Sequence, residues 1–135
     1  MRDNILLKER LTQISGKLFP ELNTSSIIIK FKGKSKYKFG HIKRTRNNTE
    51  IAINSLFKDL LVPQYVIDLT IAHELVHYSH GFQSPLPKKF KYPHKGGVVR
   101  KELIRKGLAN FLRREKLFFK KEWSEIYTEI TKKPF

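Results

Sequence analysis

Ile71-Ala72-His73-Glu74-Leu75-Val76-His77 is the stretch on which the reading of this chain turns. It lies inside a longer apolar run, with Tyr65, Val66, Ile67 and Leu69 before it and Tyr78 after it. Pro63 suits the start of a helix and Gly81 its end, so the sequence predicts a helix over about 63–80. Apolar residues fall on nearly every side, the pattern of a helix buried all round. His73 and His77 are four apart, which carries them about 400° around the axis and about 6 Å along it. Both imidazoles therefore leave one face, a turn apart, and can hold one tetrahedral cation between them. Glu74 is offset by about 100° and reaches a water on that cation without being a ligand. Burying these three groups without partners would cost on the order of several kcal/mol, and a shared metal ion removes that penalty. The plainer alternative is two satisfied core histidines and a salt-bridged glutamate.

The chain has no cysteine, so thiolate metal sites and disulfides are excluded and any zinc must be held by His, Asp or Glu. A catalytic zinc needs a third protein ligand. His94 is the leading candidate, in Tyr92-Pro93-His94-Lys95-Gly96-Gly97, where proline before and glycines after suit a loop returning to the helix. His80, on the face of His77, and Glu102, on the next helix, are the other two. His41 lies far upstream and reads as a surface residue. Tyr78 and Tyr92 are conceivable oxyanion donors, with packing as the simpler role.

Working outward, residues 3–19 read as a helix with an apolar stripe of Ile5, Leu6, Leu11, Ile14 and Leu18, stopped by Pro20. Strands are predicted at 26–32, 37–46 and 49–54, the last two joined in a hairpin at Asn47-Asn48. A short helix or turn follows at 55–61. Residues 82–96, with three prolines and no period, read as an ordered loop, and two helices follow at about 98–115 and 118–131. The expectation is an α+β domain: an N-terminal helix, a small three-stranded, mainly antiparallel sheet, the buried helix, then C-terminal helices. The length of 135 residues suits one domain over 1–135, with 113–135 as a helical basic tail.

Lys and Arg number 28 against 12 Asp and Glu, a net charge of +16. A field of that size on a small domain favours polyanions, most simply DNA, single-stranded or duplex. Lys30, Lys32, Lys36, Lys38, Lys43, Arg44 and Arg46 form the first candidate patch, as one face of a strand or, with a turn at 33–36, a hairpin tip. Lysine on an edge strand also blocks aggregation, which is the competing explanation. A second cluster is Lys88, Lys89, Lys91 and Lys95; a third runs through 100–121 on predicted helices. Phe119, Trp123, Ile126, Tyr127 and Ile130 lie at helical spacing, and core packing explains them better than base stacking. The N-terminus lacks the apolar core of a signal peptide, and no apolar run approaches a membrane span. The expectation is an intracellular, cytoplasmic protein with no membrane role.

The order of parts resembles the SprT-like metalloprotease domain family, which includes the Spartan-type proteases. The resemblance rests on the N-terminal helix, the strands around 26–54 ending in Ile51-Ala52-Ile53-Asn54, the run from Tyr65 into Ile71–His77, and the later His94. It spans roughly residues 3–112, and the last strand with its helix is also similar to minimal gluzincin-like peptidases. The resemblance implies a zincin-like fold, Zn2+ held by His73, His77 and His94, Glu74 as general base, and hydrolysis of proteins on or near DNA. Many relatives carry a cysteine zinc ribbon, which these residues cannot form, and the sequence after His94 reads Lys-Gly-Gly rather than a plain glycine. Two other readings compete: a zinc peptidase with no DNA role, and a non-catalytic, zinc-stabilised nucleic-acid-binding module.

Overall fold

The computed structural model describes residues 1–132. The elements run α1 (Asn4–Leu18), β1 (Ile27–Phe31), β2 (Gly40–Arg44), β3 (Thr49–Ile53), α2 (Gln64–Ser79), α3 (Val98–Arg105), α4 (Ala109–Lys121) and α5 (Trp123–Lys132). A short 3-10 turn at Ser55–Lys58 links β3 to α2. The class is α+β. The Asp3 carboxylate accepts the Leu6 N–H at 3.0 Å and so caps α1. The stripe of α1 is shifted from the expected one: Leu7, Leu11 and Ile14 are buried, whereas Ile5 is 69% exposed.

The sheet has the order β1-β3-β2. β3 pairs parallel with β1 and antiparallel with β2, so the sheet is mixed rather than mainly antiparallel. The reason is a crossover. The chain leaves β1 at Phe31 and passes through 32–39 to the position two strands away. A tight turn, closed by Thr45 N–H donating to the Asn48 carbonyl at 2.8 Å, then returns β3 between them. The second strand is accordingly shorter than 37–46, and the lysines at 34, 36 and 38 lie on the connection, not on a strand. Buried Asn54 pins that connection by donating from Nδ2 to the carbonyls of Ser35 (2.6 Å) and Lys38 (3.2 Å).

α2 lies against the inner sheet face of Ile29, Phe31, Ile42, Ile51 and Ile53. Val66, Ile67, Ile71, Leu75 and Val76 are fully buried, as the all-round apolar pattern requires. Burial of each such side chain contributes about 1.5–3 kcal/mol.

Three helices, not two, follow the loop. α3 stops before Gly107, which takes φ +88, a left-handed value that interrupts the helix where its apolar period does not. The segment 113–132 is helical and is tied to the core through Phe118 and Trp123, 1% and 4% exposed. Residues 133–135 of the expected tail lie outside the described residues. The Trp123 indole N–H donates to the Lys36 carbonyl at 2.8 Å, and Phe119 stacks on Phe39 with centroids 4.2 Å apart. These aromatics are packing groups. Among the described residues, no helix is long and apolar enough to cross a membrane.

Candidate metal centre

Residues 73–77 occupy the last turns of α2. The His73 and His77 rings are 5.0 Å apart between centroids, as their spacing predicts. One donor atom each from His73, Glu74 and His77 fall within 4.8 Å of one another, a group that can hold a metal ion. His77 is 1% exposed, and its Nδ1 is buried with no hydrogen-bond partner, as is Glu74 Oε2. Orphaned buried donors and acceptors are costly, and a cation beside them removes the cost.

The loop after α2 folds back on the helix end. Phe82 N–H donates to the His77 carbonyl at 2.9 Å, Lys89 N–H to that of His80 at 2.8 Å, and the Ser84 hydroxyl to that of Tyr78 at 2.8 Å. The chain then carries His94 to within 4.6 Å of the His77 ring and 4.9 Å of Phe82, centroid to centroid. Gly96 and Gly97 turn it into α3. His94 thus stands beside the pair as the third imidazole, although the tightest donor group is His73, Glu74 and His77. The other two candidates lie together, apart from that group. His80 Nε2 stands 3.9 Å from Glu102, beyond hydrogen-bond distance, and both His80 ring nitrogens are buried without a hydrogen-bond partner; its ring packs on Phe90 at 4.8 Å, and Glu102 is held by Arg105 at 2.7 Å. Tyr78 is 2% exposed, with its hydroxyl near Ser26 (3.2 Å), so it faces away from the centre. Tyr92 is exposed, beneath Lys91 and Lys95.

Burial sets the electrostatics. It lowers the His77 pKa to about 3, helped by repulsion from His73, His94 and His80. His73 is lowered by the same burial, then by His94; part of its surface opens into the cleft, but the crowding walls decide the direction. Neutral imidazoles are the ligating form. Glu74 is pushed up from 4.5 to about 7 by burial, against the opposing pull of Lys38. A carboxyl with that pKa both takes and releases a proton near neutrality.

A cleft of about 310 Å³ opens on this face, lined on one side by Gly40, Thr70, His73 and Glu74. A cleft of equal volume beneath α1 has a paired Arg10–Asp68 and no histidine. Gly40 is required by close approach: a Cβ there would stand 2.7 Å from Thr70 Cγ2 and 3.7 Å from Glu74 Oε2. β2 is an edge strand. Asn54 N–H donates to the Phe39 carbonyl and Thr45 N–H to that of Asn48, so odd-numbered residues of β2 bond to β3. The backbone groups of Gly40, Ile42 and Arg44 therefore face the free edge, where the Gln83 side chain takes the Arg44 N–H at 2.9 Å.

The expected basic patch is divided. Lys30, Lys32, His41 and Lys43 share the outer sheet face, but Glu50 sits among them. It pairs with Lys30 (3.0 Å) and Lys32 (3.3 Å), stands 3.9 Å from His41, and has its own pKa lowered chiefly by Lys30. Arg44 is turned to the Ser84 carbonyl, and Lys36 lies over Tyr127. Lys38 and Arg46 are exposed. The second cluster, Lys88, Lys89, Lys91 and Lys95, is wholly exposed beside His94, and among the described residues no carboxylate pairs with it.

Comparison with known proteins finds no matching family model, no matching curated protein and no matching solved structure. Sequence reasoning passed over Gly40, Asn54 and Glu115. Glu115 lines the same cleft from α4, yet sits in Arg113-Arg114-Glu115-Lys116 and reads as solvated charge. The available signal was its helical spacing with Leu112 and Phe119.

Proposed function

We propose that this chain is a zinc-dependent endopeptidase with a zincin-like arrangement, in which His73, His77 and His94 hold the ion and Glu74 is the general base. The observation that carries the reading is the buried, unpartnered Glu74 carboxyl beside two neutral imidazoles, at the wall of an open cleft. Zinc bound by such imidazoles lowers the pKa of a coordinated water to ~7 and polarises a carbonyl. Glu74 Oε2 would accept the proton of the attacking water and then deliver it to the departing amine nitrogen. The free edge at Gly40 and Ile42 takes an extended peptide as an added strand, whose course runs beside Glu74. Gly40 keeps that lane clear.

The purely structural zinc reading fits less well, since a closed structural site has four protein ligands and no use for an unpaired buried carboxyl. The proposed substrates are proteins on or near DNA. Supporting this are the +16 charge and the unneutralised lysines 88, 89, 91 and 95, which suit a phosphate backbone better than the Glu50-paired sheet face does. The test is cleavage of an unfolded protein substrate, with and without single-stranded and duplex DNA. Cleavage indifferent to DNA would leave a peptidase without the nucleic-acid role. Cleavage surviving Glu74→Gln would remove the mechanism.

A further inference from the structure

The cleft has a second carboxyl that the mechanism above does not use. Glu115 projects from α4 into the cavity that holds His73 and Glu74, with Leu69, Leu103 and Leu112 among the walls. The other carboxylates withdrawn from solvent are engaged: Asp59 by the Leu61 N–H, Asp68 by Arg10, Glu50 by Lys30 and Lys32, Glu102 by Arg105. Among the described residues, no hydrogen bond or ion pair engages Glu115, and Arg100 acts on it only at a distance. In a chain with 28 cationic side chains, an unpaired half-buried carboxyl is unexpected. Both such groups, Glu74 and Glu115, line this one cleft.

We propose that Glu115 is a specificity-determining residue, its carboxylate taking up a cationic alkylammonium group of the substrate, a lysine side chain or a peptide N-terminus. The inference rests on the peptidase reading and names the substrate chemistry that reading leaves open. Apolar walls screen a carboxylate weakly, so a cation arriving there gains more than it would on the open surface. Burial raises the Glu115 carboxyl to about 7, so an incoming ammonium also draws it into its ionised form. The net charge of +16 disfavours a cationic peptide on the surface at large, so an unpaired carboxyl in the cleft is a favoured place for its charge. Proteins that sit on nucleic acid are rich in such groups, so this pocket agrees with the proposed substrates.

The test separates binding from cleavage. Zinc-loaded Glu74→Gln protein is titrated with a short lysine peptide, its norleucine counterpart, and the N-acetylated form of each. The expected result is about 10-fold tighter binding of the cationic member, the size of one charge-assisted contact, with the preference lost in Glu74→Gln/Glu115→Gln. A lysine-over-norleucine preference that survives acetylation identifies the side chain as the cation; equal binding of the two free peptides, each weakened about 10-fold by acetylation, identifies the N-terminus. A preference that survives Glu115→Gln, equal binding of all four peptides, or no binding of any of them overturns the proposal. So does loss of zinc in Glu115→Gln, which would make Glu115 a ligand; circular dichroism of the variants shows whether they keep the fold. If the preference depends on Glu115 while wild type cleaves nothing, the peptidase reading falls and the cation pocket stands.

Discussion

Replacing Glu74 with glutamine is expected to make the metal-free protein more stable at alkaline pH while abolishing the proposed hydrolysis. Glutamine keeps the shape and removes the ionisation. Glu74 is 4% exposed, its Oε2 has no partner, and its pKa rises from 4.5 to about 7. A raised carboxyl pKa means that the folded state holds the proton more tightly than the unfolded chain. That contribution is complete below about pH 4.5 and is lost as the pH climbs through about 7. The gap corresponds to about 3 kcal/mol at ~1.4 kcal/mol per pH unit. The assay is urea unfolding of chelator-treated wild type and Glu74→Gln between pH 4.5 and 8. The difference between the variants should widen with pH, from its value at pH 4.5 to about 3 kcal/mol more at pH 8. Every other ionisable group is present in both variants, so the difference reports chiefly on Glu74. Parallel curves across that range would refute the claim that this carboxyl is buried and unpaired.

Other expectations follow from the same structure. His94→Ala should weaken zinc binding by more than about 100-fold, beyond the effect of losing an outer-shell partner, whereas His80→Ala should leave zinc content unchanged; equilibrium dialysis against a zinc indicator distinguishes them. Gly40→Ala should lower kcat more than it raises KM, because the new methyl displaces Thr70 and Glu74, and a wild-type kcat would show that the wall yields freely. Trp123→Ala should cost about 3–5 kcal/mol in chemical denaturation, since it empties an aromatic cluster and frees the Lys36 carbonyl. Lys91→Ala and Lys95→Ala should each reduce the slope of log affinity for DNA against log salt by about 1, and an unchanged slope would move the contact elsewhere.

What the sequence disclosed was what it encodes locally. The burial of α2 follows from its apolar residues on every side, and the shared face of His73 and His77 follows from helix geometry alone. The β3 strand is legible in Thr-Glu-Ile-Ala-Ile. Strand order is not, because pairing partners are chosen by the crossover at 32–39 and not by any one strand's pattern. The break at Gly107 is hidden, since a glycine inside a helical period reads equally well as tolerated or as a stop. His80 and Glu102 each looked able to ligate; only the packing of α3 on α2 sets them near each other. Glu115 is the clearest case, a charge among charges in sequence that the turn of α4 brings into the cleft. The return of His94 to His77 was readable because Pro93 and the two glycines mark the turn that brings it back.

The central claim is that the group at residues 73–77, with His94, is a working metal centre and not a satisfied core. Its most direct test is the cleavage rate of one unfolded protein substrate by zinc-stripped wild type as zinc is added back, beside Glu74→Gln treated identically. The expected result is activity that rises with zinc and saturates as the site fills, with none from Glu74→Gln despite equal zinc uptake. Wild type that takes up zinc and cleaves nothing, or Glu74→Gln that cleaves as well as wild type, would contradict it.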